Sequence, residues 1–210
     1  LPRRYSFAMI SACSQSSRKG RKGRTVKTEI CYREIPAEAS ALAAGQAYVS
    51  SYASPLGRLT LVSQDEQGLS ALYFPEERPE NLVDSPVVPP VLAAGQRWLE
   101  QYFSGCVPGK CPPLSLRGTP FQQTVWQLLL DIPYGQSVCY GDIAARLSAG
   151  RGRGSSARAV GGAVGRNPLP ILVPCHRVLG KDGRLTGYSS GLDKKIRLLE
   201  LERIPFRANT

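Results

Sequence analysis

Residues 174–178 read Pro-Cys-His-Arg-Val, and His176 is the only histidine among 210 residues. Cysteine is the most nucleophilic common side chain, and imidazole is the base best matched to activating it near neutral pH. The Cys175–His176 pair is therefore where chemistry is expected. The competing reading is a buried thiol beside a hydrogen-bonded histidine, because free cysteines are among the most buried residues. Adjacent side chains tend to diverge, so direct contact between the two is not assured. The other cysteines, at positions 13, 31, 106, 111 and 139, form no compact framework. That pattern reads as free thiols in a reducing compartment.

Charge separates the chain into three parts. Residues 1–28 carry a net +8 with no acid, residues 29–116 a net −5, and residues 117–210 a net +8. The half that holds Cys175 is thus electropositive, which suits a polyanionic partner, most simply nucleic acid, as well as a merely solvated basic surface. No run approaches the 18 or more apolar residues of a membrane span. The segment Arg18–Arg24 is a Gly-interrupted basic run after a Ser-rich stretch, and residues 1–45 read as a basic disordered tail. A nuclear localisation signal, a nucleic-acid patch and an organellar transit peptide share that composition. The nucleus, or the cytoplasm of a cell without one, is the expected compartment.

The elements that would position the pair follow from periodicity and turn chemistry. Tyr48–Ala53, Leu59–Ser63 and Leu69–Phe74 are β-prone runs joined by Ser54-Pro55-Leu56-Gly57 and Asp65-Glu66-Gln67-Gly68, which predicts an antiparallel meander. An amphipathic helix is expected over Val91–Phe103, and residues 46–110 show no obvious catalytic group. Thr119-Pro120 caps a helix that ends before Pro133. Helices at Tyr140–Leu147 and Ser155–Gly165, joined by a Gly/Arg-rich turn, suggest a helix-turn-helix. The second of these contains Ala157-Arg158-Ala159-Val160-Gly161-Gly162-Ala163. Two glycines in a helix cost about 1 kcal/mol each relative to alanine, so something must approach it closely. A neighbouring backbone is one explanation. The other is the DNA minor groove, with Arg158 as the one long side chain able to enter the duplex.

Gly118-Thr119-Pro120-Phe121-Gln122, Val125-Trp126, Ala157–Gly162, Asn167-Pro168, Pro174–Val178 and Gly187-Tyr188, in this order, resemble the O6-alkylguanine-DNA alkyltransferase family. The Ser54–Gly57 turn and the Trp98–Phe103 helix belong to the same resemblance, which spans about Tyr48–Pro205. It implies an α+β fold: a small antiparallel-sheet domain of ribonuclease H-like type over 46–113, then a helical domain with a winged helix-turn-helix over 114–207. It also implies direct-reversal repair as a monomer, in which the alkyl group of O6-alkylguanine, and of O4-alkylthymine, in double-stranded DNA moves irreversibly to the protein. No cofactor or metal is implied, because nucleophile and acceptor are one atom.

By motif, Cys175 is implied as the acceptor, His176 as its base through a bridging water, and Glu202 as the carboxylate that orients the histidine, with Glu200 as the alternative. Tyr140 is implied to help rotate the nucleotide and to hydrogen-bond N3 of the leaving guanine. Arg158 fills the space of the flipped base, with Ala157, Ala159 and Gly161 against the groove, and Asn167 is a hinge. Pro170, Val178, Tyr188 and Ser189 line the base pocket. Three departures stand out. The Ser148–Ser156 turn is longer than in relatives and adds Arg151 and Arg153. Ser190 stands where many relatives have glycine or tryptophan. No histidine is left for a zinc site, although four cysteines are a conceivable ligand set. A lesion-binding protein without transfer activity, a helix-turn-helix regulator and a thiol hydrolase are the rival functions.

Overall fold

The structure, a computed structural model, describes residues 47–151 and 155–208. The expectations for residues 1–45, which include Cys13 and Cys31, and for Arg153 lie outside the described residues. An antiparallel sheet of order β1-β2-β3 opens the fold, with β1 at Tyr48–Ser54, β2 at Gly57–Ser63 and β3 at Leu69–Tyr73. Helix α1 (Pro90–Phe103) buries Val91, Leu92, Trp98, Leu99 and Tyr102, the spacing of one helical face. Gly95 lies on that face, and a Cβ there would stand 2.9 Å from Leu69 Cδ1. Glycine at this position is what lets α1 settle onto β3.

The chain then crosses back beside β3, where the Leu69 amide donates to Pro113 O and the Ser115 amide donates to Leu69 O. Helix α2 (Pro120–Leu130) begins with the expected cap: Thr119 Oγ1 accepts from the Gln122 amide while Gln122 Oε1 accepts from the Thr119 amide. Helices α3 (Tyr140–Arg151) and α4 (Ala157–Val164) form the expected pair, with Ser156 capping α4. Two-residue strands β4 (Val138–Cys139) and β5 (Val178–Leu179) pair in parallel, and α5 (Leu192–Leu201) closes the fold. The result is the α+β architecture read from the sequence.

The end of α3 differs from expectation. Helix α3 runs to Arg151 rather than ending at Leu147. Ser148 assists this, because its Oγ donates to Ala144 O at 2.8 Å and accepts from Ser155 N at 3.0 Å. Glu202 is the cap residue just past the end of α5. One apolar core runs without a break from Leu61, Leu69 and Leu99 in the first half to Trp126, Val160 and Val173 in the second.

Trp126 ties the helix-turn-helix to this core, since its indole N–H donates to Ala163 O at 2.9 Å. Trp126→Phe removes that donor and leaves a cavity. A stability loss of about 1–3 kcal/mol is expected in urea unfolding; an unchanged midpoint would contradict the assignment.

Candidate active site

Cys175, His176 and Arg177 form one 3-10 turn between Pro174 and β5, and all three are buried. The segment that enters this turn is strained: Ile171 is buried with φ 74°, a region β-branched residues rarely occupy. Asn167 holds it there. Its Oδ1 accepts from Leu169 N at 3.0 Å, and its Nδ2 donates to Val173 O at 2.8 Å and to Cys175 Sγ at 3.1 Å. The asparagine expected as a hinge thus clamps both ends of the turn and touches the thiol. On the other side, Cys175 Sγ lies 3.8 Å from the Tyr188 hydroxyl.

The imidazole of His176 is anchored on Glu202. Its Nε2 lies 2.7 Å from Glu202 Oε1, and both side chains are fully buried. Glu202 also accepts from Arg177 Nε (2.8 Å) and Nη2 (3.1 Å), from Gly135 N (3.1 Å) and from the Tyr102 hydroxyl (2.8 Å). An ionised carboxylate only accepts, so Nε2 must carry the proton it shares with Glu202. In the neutral ring Nδ1 then holds the lone pair, and Nδ1 is the buried ring atom without a hydrogen-bond partner among the described residues. Of the two glutamates left open by the sequence, Glu202 is the one at the histidine; Glu200 is exposed.

The electrostatics follow from this packing. Burial pushes the Glu202 carboxyl up, but His176 and Arg177 outweigh it and bring the pKa down to about 2. Burial lowers the His176 pKa and Glu202 raises it only in part, which favours a neutral ring. Burial raises the Cys175 thiol, and hydrogen bonds from Asn167 and Tyr188 offset part of that rise.

Tyr140, the first residue of α3, accepts from Thr186 Oγ1 at 3.3 Å and is near enough to Cys175 to feel its charge. Its ring lies under α4: a Cβ on Gly161 would be 3.7 Å from Tyr140 Cε1. Gly162 is exposed and meets only the Arg166 side chain within 4 Å. Among the described residues, no neighbouring backbone therefore explains the two glycines. Ala157, Arg158 and Ala159 are exposed on the same helix. Pro170 and Val178 are buried, Ser189 is exposed, and Ser190 is buried in the Tyr188–Gly191 turn.

Two functional groups escaped the sequence. Residues 46–110 were expected to hold no catalytic group, yet Tyr102 of α1 donates to Glu202 across a sequence separation of 100. No local pattern announces such a contact. Arg177 was visible in the Pro-Cys-His-Arg-Val string, but its role as a partner of Glu202 depends on where α5 ends. Among the described residues no cluster of three or more His, Cys, Asp or Glu side chains is assembled for a metal, and Cys106 and Cys111 are free.

A buried thiol beside an imidazole anchored on a carboxylate, close to a helix-turn-helix, is an arrangement that suits a thiol nucleophile in a protein of DNA-binding architecture. The sequence model of the 6-O-methylguanine DNA methyltransferase DNA-binding domain matches residues 120–204, and that of the family's ribonuclease-like domain matches residues 47–107. The methylated-DNA–protein-cysteine methyltransferase of Haemophilus influenzae is 42% identical over 164 residues, 76% of this chain and 88% of its own length. The constitutive enzyme of that name from Bacillus subtilis is 42% identical over 168 residues, 76% of this chain and 98% of its own. The crystal structure of Mycobacterium tuberculosis O6-methylguanine methyltransferase superposes with a TM-score of 0.65 at 40% identity, covering 75% of this chain and 93% of that one. A structure of Mycobacterium tuberculosis OGT in complex with DNA has the same TM-score at 41% identity, covering 75% and 95%. The chain belongs to the 6-O-methylguanine DNA methyltransferase family.

The Glu202 shift sets an acid limit on stability. Its folded pKa of about 2 lies below the unfolded value of about 4.3, so the stabilisation is complete above about pH 4.5 and is lost as pH falls through the folded pKa. The difference is on the order of 3 kcal/mol. Urea midpoints measured from pH 5 to pH 2 should fall steeply, and Glu202→Gln should flatten that slope. Tyr102→Phe, which removes one donor, should move the loss to higher pH. Identical acid profiles for all three proteins would contradict the network.

Proposed function

We propose that this chain repairs DNA by direct reversal, taking the alkyl group from O6-alkylguanine onto Cys175 Sγ once per protein molecule. The observation that carries the reading is the Cys175–Asn167 contact beside a histidine whose Nδ1 is free and whose Nε2 is anchored on Glu202. That arrangement supplies a thiol fixed in place and a base whose charge is compensated from behind as it forms. The relatives' shared name and the DNA complex of the Mycobacterium tuberculosis structure support the same substrate class.

In this reading the Cys175 proton passes to His176 Nδ1 through one bridging water. The thiolate then displaces guanine at the alkyl carbon: the S–C bond forms, the C–O6 bond breaks, and its electron pair leaves with the base. Tyr140 donates to N3 of that base and stabilises its developing charge, and the proton held by His176 returns to it. Asn167 and Tyr188 keep Sγ in line. Pro170, Val178, Tyr188 and Ser189 border the base, with Ser189 nearest O6. A thioether has no easy hydrolytic exit, so the protein is consumed. O4-alkylthymine, with a similar leaving oxygen, is a second substrate.

Delivery of the base rests on α4. Its exposed Ala157 and Ala159, with Gly161 over Tyr140, let the helix press into the minor groove, while Arg158 occupies the space of the extruded nucleotide. Flipping costs a few kcal/mol of unstacking, and an inserted cation offsets it. A sequence-reading regulator would need several long polar side chains on this helix, and α4 offers one.

With methylated duplex in excess, restored guanine should stop at one equivalent per protein; continued turnover would contradict the proposal. Arg158→Ala should slow repair of duplex DNA by about tenfold or more while leaving single-stranded substrate nearly unaffected, since only the duplex demands flipping. Equal losses on both substrates would remove Arg158 from that role.

A further inference from the structure

Lys195, in the first turn of α5, is fully buried, at 0% exposure. Its ammonium donates to Val178 O at 2.7 Å, and it takes part in none of the ion pairs among the described residues. Its neighbour Lys194 behaves differently, reaching Glu76 at 3.2 Å and lying over the Phe74 ring. A buried ammonium facing one carbonyl dipole is costly, and a lysine that only filled space would be better replaced by an apolar side chain. Something must make the charge useful.

The turn that α5 packs against is Cys175–Arg177. Burial lowers the Lys195 pKa to about 8, and the charge that pulls it back up is that of Cys175. Reciprocally, Lys195 lowers the pKa of Cys175 and adds to the lowering at His176. The other groups facing the thiol are Asn167 and the hydroxyls of Tyr188 and Tyr140, all uncharged at neutral pH.

We propose that Lys195 is the counter-charge of the Cys175 thiolate, a positioning residue that stabilises the nucleophile in the form that attacks. The proposal rests on the reading of Cys175 as the acceptor. When the thiol proton reaches His176, the imidazolium is paired with Glu202 and the thiolate lies in the field of the Lys195 ammonium, which is held on Val178 O beside the same turn. During transfer the thiolate's lone pair becomes the S–C bond and the C–O6 pair leaves with guanine, while Lys195 keeps its proton throughout. Arg177 cannot take this part, because its guanidinium is already spent on Glu202 and Ile132 O.

The test follows the pH dependence of iodoacetamide labelling on the Cys175 peptide, read by mass, in the full-length protein and without DNA. Lys195→Met removes the charge at similar length, and Lys195→Gln removes it while keeping a donor for Val178 O. In either variant the Cys175 midpoint should rise by about one pH unit. Labelling at pH 7 should slow only about threefold, because the more basic thiolate is also the better nucleophile. The unaltered protein should give a profile broader than one thiol's, as two coupled sites do, and the variants a single-site curve. An unshifted midpoint in a variant with a native melting curve overturns the proposal. So does a single-site curve in the unaltered protein, which applies even if neither variant folds. Because no DNA is present, failure here is distinct from failure of Cys175 to accept an alkyl group, which would leave the labelling result standing.

Discussion

The Glu202 carboxylate, buried just past the end of α5, is the group on which the rest of the site depends. A buried carboxylate stays ionised only when its oxygens are filled, and here five hydrogen bonds converge on it: two from Arg177 and one each from His176, Gly135 and Tyr102. Those donors come from α1, from the turn after α2, and from the nucleophile's own turn. Removing any one leaves a buried charge short of a partner. The carboxylate therefore fixes where α5 ends, how α1 lies against the second half, and which nitrogen of His176 carries the proton. The freedom of Nδ1 is a consequence of Nε2 being occupied.

Around that centre the molecule divides its labour. Asn167 bends a strained turn, with Ile171 at positive φ, so that Sγ is held on one side while the imidazole is held on the other. Strain of this kind persists only where neighbouring bonds over-determine it. Helix α4 sits above, with Gly161 over the Tyr140 ring. The thiol thus lies beneath the element proposed to deliver its substrate. The small side chains exposed on α4 are left for the proposed outer contact.

Much of this was legible in the sequence because it is local. The Thr119-Pro120 cap, the meander turns, the α1 apolar face and the Cys-His pair each declare themselves within a few residues. The family strings then carried Asn167, Tyr140 and Glu202 to their places. What could not be read were contacts between distant segments. Tyr102 looks like any other core aromatic of an amphipathic helix until its hydroxyl is seen on Glu202. Lys195, in a helix dense with charge, looks like a solvated lysine until its burial is known. The length of α3 was missed for another reason: Ser148 and the glycines after it read as a turn, while Ser148 in fact bonds back into the helix.

The proposed chemistry turns on the buried thiol beside the Glu202-anchored histidine being the alkyl acceptor. The most direct measurement is the peptide mass of the protein after one exposure to duplex DNA carrying O6-methylguanine, with a Cys175→Ala control. One methyl mass is expected on the peptide that contains Cys175, none on those that contain Cys106, Cys111 or Cys139, and no transfer to the control. A methyl group found on another cysteine, or an unmodified Cys175 after the lesion has been repaired, would contradict it.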